Sequence, residues 1–243
     1  MMPCSLETMK GRNILLLSPH SDDICYSIGG VVAQLYPHAQ LYMLTIFGRS
    51  GWTLPSASFP QSVDAISLRR EREDRAYCSR WGISYDAFTC PDSFLMGYDE
   101  FSEINADACS DPRFQIVLNL IQGVVAATLP AFIFAPCAVG KHVDHQIVRM
   151  AADAIGEVHV LYYEDVPYSS QLSLCDLERT LVAEKMAPAM TVSIDGVIDS
   201  KCDAMWNYSS QTNQCVIAKM LLHAARVGGE EVQYAERVWR RIN

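Results

Sequence analysis

Two short segments carry most of the side chains in this chain that could do chemistry: Pro19-His20-Ser21-Asp22-Asp23 and Gly140-Lys141-His142-Val143-Asp144-His145. In the first, His20 and Asp23 are spaced so that a single turn of chain can bring both to one point. Imidazole and carboxylate are both good zinc ligands. Asp22, between them, could face a water at the metal rather than the metal itself. The plainer reading is that Asp22 or Asp23 caps a helix beginning at Ile24. In the second segment, two histidines and a carboxylate stand close together at the expected start of another helix. There too a plainer reading exists, with Asp144 as the cap and the histidines at the surface. Taken together, His20, Asp23 and His145 form a two-histidine, one-carboxylate set. Three protein ligands leave a position open for water, the arrangement of a catalytic zinc site. The same donors also suit Fe2+, with Co2+ as a further substitute.

These segments need a scaffold, and the hydrophobic pattern supplies one. Asn13 to Leu17, Leu41 to Phe47, Tyr85 to Thr89, Phe132 to Ala135, Val158 to Tyr163 and Ala189 to Ile194 read as strands. Between them, Ile24 to Leu35, Ser62 to Trp81, Pro112 to Thr128, Val143 to Ile155 and Leu174 to Lys185 read as helices, and the tail from Val197 reads as mostly helical. Gly82 falls where a helix C-cap is expected. Gly48 to Gln61 is a Gly, Ser and Pro-rich loop, and Cys90 to Asp111 reads as irregular. Strands alternating with helices predict an α/β fold: a Rossmann-like, mainly parallel sheet flanked by helices. Ligands of such sheets sit at the carboxyl ends of the strands. Both chemical segments directly follow an expected strand, so the metal site is expected at that edge. The first turn lacks the glycine fingerprint of dinucleotide binding.

The bulk properties narrow the function. With 243 residues and half of them hydrophobic, the chain is expected to form one domain, 1–243. A net charge of -9 argues against nucleic acid and acidic lipid surfaces as partners. Nine cysteines occur without any C-x-x-C pair and read as small buried residues of a reducing compartment. No signal-peptide pattern or membrane span is expected, so the location expected is cytoplasmic. A homo-oligomer is left open.

At this point the chain resembles the PIG-L/LmbE family of zinc-dependent N-deacetylases. The resemblance rests on H-S-D-D at His20 to Asp23 and H-V-D-H at His142 to His145, which match the family's His-x-Asp-Asp and His-x-Asp-His motifs in order. Weaker matches extend it over most of the chain: Arg70-x-x-Glu73 with Trp81-Gly82, Cys90-Pro91-Asp92, Tyr162 to Tyr168, Lys201, and Ser210-Gln211. The resemblance implies zinc at His20, Asp23 and His145, Asp22 as the general base, His142 as the oxyanion's partner with acid to the leaving amine as a further role, and Asp144 as a group that tunes or orients a histidine. It implies Arg70 and Asp92 as sugar-binding residues. The implied reaction is hydrolysis of an N-acetyl group from an amino sugar, such as N-acetylglucosamine in a glycoconjugate or specialised metabolite. One branch of the family has a Tyr where Gly140 stands here, and a role for that Tyr does not carry over.

The rival readings are a zinc amidase of the same fold acting on a thiol conjugate or other non-sugar amide, a metal-dependent phosphoesterase, and a non-catalytic binding module. A phosphoesterase usually needs a second metal about 3.5–4 Å from the first, and no second ligand set can be assembled from this sequence. Glu164, Asp165 and Trp52 either line the site or serve structure. His38, His159 and His223 read as surface or structural histidines. Arg70 and Asp92 have a plainer reading as a surface ion pair and a loop carboxylate. The run Arg69 to Arg75 reads as a solvated helix face.

Overall fold

The computed structural model describes residues 4–55, 61–156 and 158–242. Residues 1–3 of the Met1 to Arg12 segment searched for a signal-peptide pattern and 56–60 of the expected Gly48 to Gln61 loop lie outside that range. Alternating elements build the fold: α1 (Leu6–Met9), β1 (Asn13–Ser18), α2 (Asp23–Leu35), β2 (Gln40–Thr45), α3 (Val63–Arg80), β3 (Ser84–Ala87) and α4 (Glu100–Asn105). There follow α5 (Arg113–Thr128), β4 (Phe132–Pro136), α6 (Val143–Asp153), β5 (His159–Tyr163), α7 (Leu174–Ala183), β6 (Met186–Ser193), α8 (Ile198–Met205), α9 (Gln214–Gly228) and β7 (Ala235–Arg241).

Among the described residues the strands form one seven-stranded sheet in the order β3-β2-β1-β4-β5-β7-β6. The pairs from β3 through β5 are parallel, and β7 joins β5 and β6 antiparallel. In β1, Ile14 and Leu16 face one hydrophobic core while Leu15 and Leu17 face the other. That is why the strand reads as an unbroken apolar run: both faces are covered by helices. Truncating such a residue, Leu16→Ala for example, costs about 2–5 kcal/mol. The chain runs one way from β1 to β2 and the other way to β4, so the crevice between β1 and β4 is the switch point where such sheets bind ligands.

The sequence-based expectation differs from the structure at four places. The tail contains a strand, β7, inserted between β5 and β6, because its buried charges hide the apolar pattern. Glu236 and Arg237 are both buried, each paired with side chains from elsewhere. α4 is a helix inside the stretch read as irregular. The Arg69 to Arg75 run is only partly a solvated face: Arg75 pairs with Glu71 outside, but Arg70, Glu73 and Asp74 are buried. The cysteines are free thiols, of which Cys25, Cys78 and Cys137 are buried and Cys109, Cys175 and Cys215 are exposed. Gly82 does follow the end of α3 in the left-handed region at φ 58, and the Ile83 N–H reaches back to the Cys78 carbonyl.

One feature of α2 places its first turn. The helix is interrupted at Ile28, where φ is -130 and ψ is 26. There the Gly30 and Val31 N–H groups donate to the Glu236 carboxylate at 2.9 and 2.7 Å. The Tyr26 carbonyl accepts from Lys201 Nζ at 2.8 Å, and Lys201 also pairs with Glu236 at 2.6 Å. Side chains of a buried ion pair thus bond the backbone on both sides of Ile28, an identifiable cause for the bend. Gly30 is required here, since a Cβ would lie 2.5 Å from the Ile194 side chain.

Candidate active site

The loop from β1 into α2 is tied down locally. Ser18 Oγ donates to the His20 carbonyl at 2.6 Å, and the His20 N–H donates to Asp23 Oδ2 at 2.8 Å. Asp22 stands at the N-cap position of α2 but makes no capping bond. Its backbone lies at φ 101, a left-handed conformation costing about 1–3 kcal/mol that persists only where the surroundings impose it. The capping reading of this segment thus fails for both aspartates: Asp22 caps nothing, and Asp23 binds the turn behind it.

On the other side of the switch point, His142 is the cap of α6, with Nδ1 accepting from the Asp144 N–H at 3.2 Å. Asp144 is fully buried. Its Oδ2 lies 2.9 Å from His20 Nε2 and accepts the Ser93 N–H, while Oδ1 lies 2.7 Å from Arg113 Nη1. Arg113 is itself held by Asp111 and sits over the Phe47 ring. Asp165, after β5, lies 2.8 Å from His145 Nδ1.

These outer contacts fix what the inner atoms can do. With Asp144 on Nε2, His20 turns Nδ1 toward Asp23 Oδ2, 3.5 Å away. With Asp165 on Nδ1, His145 turns Nε2 toward the same oxygen, 3.4 Å away. Buried His145 Nε2 has no hydrogen-bond partner. An orphaned buried ring nitrogen, a second imidazole nitrogen and a carboxylate oxygen thus converge, with all ligand atoms within 4.8 Å of one another. This donor set fits a metal ion with an outer carboxylate behind each histidine. A second grouping, His20 with His142 and Asp144, also lies within that distance. It fits less well, because both Asp144 oxygens are engaged by Arg113 and Ser93, and His142 has partners on both nitrogens.

The electrostatics follow from burial and pairing. Burial opposes charge on Asp23, but His145 and His20 outweigh it and hold its pKa at about 2. Burial likewise opposes charge on His20, but the bonds to Asp144 and Asp23 raise its pKa to about 10. Asp22 goes the other way: burial first, then the Asp23 charge, push it well above the usual carboxylate range, with Arg70 pulling it back. Neighbouring carboxylates with opposed proton affinities are a pattern found at acid–base sites.

A cavity of about 690 Å³ opens beside these groups. Of the residues read from the sequence, His20, Asp22, Asp23, Arg70, Asp92, His142 and Trp52 line it; Asp144 and His145 lie behind the wall. Arg70 is buried, not on a helix surface, and donates to Ser50 Oγ and the Ser21 carbonyl. Asp92 is buried and accepts the Leu95 N–H at 3.0 Å. Glu164 lies elsewhere, bonded to Arg237, Trp239 and His223. Ser210 anchors Glu73 of α3, its Oγ donating at 2.6 Å.

Two residues around the site, Glu103 and Arg113, escaped sequence reasoning, and Tyr168 enters it only as the end of the Tyr162 to Tyr168 stretch. Glu103 of α4 meets His142 Nε2 at 2.6 Å. Tyr168 packs edge-on against both His142 and His145, and its ring fills the space a side chain at Gly140 would need. Arg113 reads in sequence as an ordinary helix-start charge. Only the fold brings these three beside His142, His145 and Asp144, and no local spacing marks Glu103 or Arg113.

Comparison with known proteins places the chain among deacetylases. The family model described as GlcNAc-PI de-N-acetylase, PIG-L, matches residues 15–155. The 2'-N-acetylparomamine deacetylase of Streptomyces fradiae is 34% identical over 254 aligned positions, covering 96% of this chain and 91% of its own. Among solved structures, the A40926 pseudoaglycone deacetylase Dbv21 matches with a TM-score of 0.70 at 22% identity, over 96% of this chain and 98% of that one. The zinc-inhibited form of the teicoplanin deacetylase Orf2 matches with a TM-score of 0.71 at 20% identity, over 95% and 98%.

Proposed function

The chain belongs to the PIG-L family of de-N-acetylases, and from that membership we propose that it hydrolyses the N-acetyl group of an amino sugar in a specialised metabolite, using zinc held by His20, Asp23 and His145. The observation that carries the reading is the convergence of His20 Nδ1 and the orphaned His145 Nε2 on Asp23 Oδ2, beside a cavity large enough for a sugar. The substrate class is drawn from the 34% identical relative, which is named for an N-acetylated amino sugar. When bound, zinc supplies a Lewis acid that polarises the acyl oxygen and makes water a better nucleophile at neutral pH.

The chain's own groups do the rest. Asp22 takes the proton of the attacking water, a role suited by its raised proton affinity and its place on the cavity wall. His142 donates from Nε2 to the negative charge developing on the acyl oxygen; losing one such donor typically costs about 10²–10³ in rate. The proton gained by Asp22 is available to the leaving amine. Arg70, Asp92 and Trp52 line the cavity and hold the sugar by hydrogen bonds and stacking. The ligand set accepts Fe2+ or Co2+ as well as Zn2+.

The test is acetate release from a panel of N-acetylated sugars, using metal-free protein, zinc-restored protein and Asp22→Asn. Zinc-dependent release that vanishes in the mutant is expected. Protein that takes up no stoichiometric metal would overturn the reading.

A further inference from the structure

Both ring nitrogens of His142 are engaged. Nδ1 accepts the Asp144 N–H at 3.2 Å, so neutral His142 carries its proton on Nε2. That Nε2 lies 2.6 Å from Glu103 Oε1, and the other oxygen of Glu103 accepts from Ser93 Oγ at 3.1 Å. The donor needed by the acyl oxygen is therefore already occupied by a carboxylate. If Glu103 stayed in place, it would both keep the proton and set a negative charge beside the developing oxyanion. The side chain must withdraw before His142 can act.

The element that carries Glu103 is built for that. α4 spans Glu100–Asn105 and buries none of its residues. Phe101 is 75% exposed. The helix follows Gly97, at φ 83, and Ala106 at its end is the nearest residue that packs against the core. Half-buried Glu103 ties α4 to the site through His142 and Ser93. Glu103 also lines the cavity, together with Asp99 and Glu100 from the start of the same helix.

Resting on the deacetylase reading above, we infer that Glu103 is a specificity-determining residue that exchanges partners. It holds the His142 Nε2–H and releases it only when a hydroxyl or ammonium donor of the bound sugar takes the carboxylate. A sugar meets this condition because its donors stand close to its acetamido group. An acetamide on a bare hydrocarbon ring does not. Selectivity arises because a ligand unable to satisfy Glu103 leaves His142 locked, an induced-fit device in which binding completes the catalytic set.

The test uses zinc-loaded full-length protein, N-acetylglucosamine and N-acetylcyclohexylamine, with Glu103→Gln and Glu103→Ala. Wild type is expected to favour the sugar. Glu103→Ala is expected to raise kcat/KM for the cyclohexyl amide about tenfold and to lower it for the sugar by a similar factor, the size of one charge-assisted hydrogen bond. Glu103→Gln, which still accepts through its carbonyl, is expected to fall between the two. In parallel, proton NMR is expected to show a downfield Nε2–H resonance in the free wild type. The signal is expected to disappear in Glu103→Ala and to shift when N-acetylglucosamine is added. Equal loss on both substrates in Glu103→Ala, or a downfield signal indifferent to both the sugar and the mutation, would overturn the inference. If no substrate is turned over, the deacetylase reading fails, while the NMR result still decides whether Glu103 binds His142 and yields it to a sugar.

Discussion

The two halves of α2 meet buried charge in opposite ways. At its first turn the helix presents Asp22 and Asp23 to a pair of histidines, and one nitrogen, His145 Nε2, has no partner. Beyond the bend at Ile28 it receives Glu236 and Lys201, and there both carboxylate oxygens are answered: Oε1 by Gly30 N and Lys201 Nζ, Oε2 by Val31 N. The two regions share burial, carboxylates and cationic partners. They differ in whether the chain itself completes the set. The far region is closed on itself and shapes the helix. The near region stays open at one nitrogen beside a cavity, and that opening is what suits it to a metal. Neighbouring Glu164 stands between the two: His223, Arg237 and Trp239 occupy its oxygens, and among the described residues no metal-sized grouping includes it, yet His223 Nδ1 has no partner.

The contrast can be broken at several points. His145→Ala removes the open nitrogen and is expected to abolish both stoichiometric zinc uptake and acetate release, measured by elemental analysis and a coupled acetate assay. Asp22→Asn is expected to keep the metal while lowering kcat by about 10²–10⁴, the usual weight of a general base. Equal loss of metal in both variants would erase the distinction between ligand and base. In the closed region, Lys201→Met strands Glu236 and is expected to cost about 3–5 kcal/mol of stability, seen in urea unfolding, with zinc affinity retained in the folded protein. Asp165→Asn loosens the outer partner of His145 and is expected to weaken zinc binding by about 10–100-fold, with a smaller change in stability.

The smallest effect concerns pH. Burial opposes the charge of Glu164, but His223, Arg237 and Trp239 hold its pKa below the usual 4.5. A depressed carboxylate contributes stability above that value and loses it as pH falls toward the folded pKa. Thermal melts from pH 7 to pH 3 are expected to fall less steeply for Glu164→Gln than for wild type. Parallel curves would remove Glu164 from the closed network.

The sequence by itself determined the alternation of elements and the two motifs. Buried parallel strands are continuous apolar runs, and His20 to Asp23 and His142 to His145 each lie within one turn of chain, so their grouping is local. What surrounds them is not local. The distance from Glu103 to His142, from Arg113 to Asp144, and from Asp165 to His145 is set by how separate elements pack, and no spacing along the chain encodes it. β7 was hidden for the same reason: Glu236 and Arg237 look like surface charges until the partners that neutralise them, Lys201 and Glu164, are brought in from distant elements. Only the tertiary structure decided which nitrogen of each histidine is free, because that depends on which carboxylate stands behind the ring.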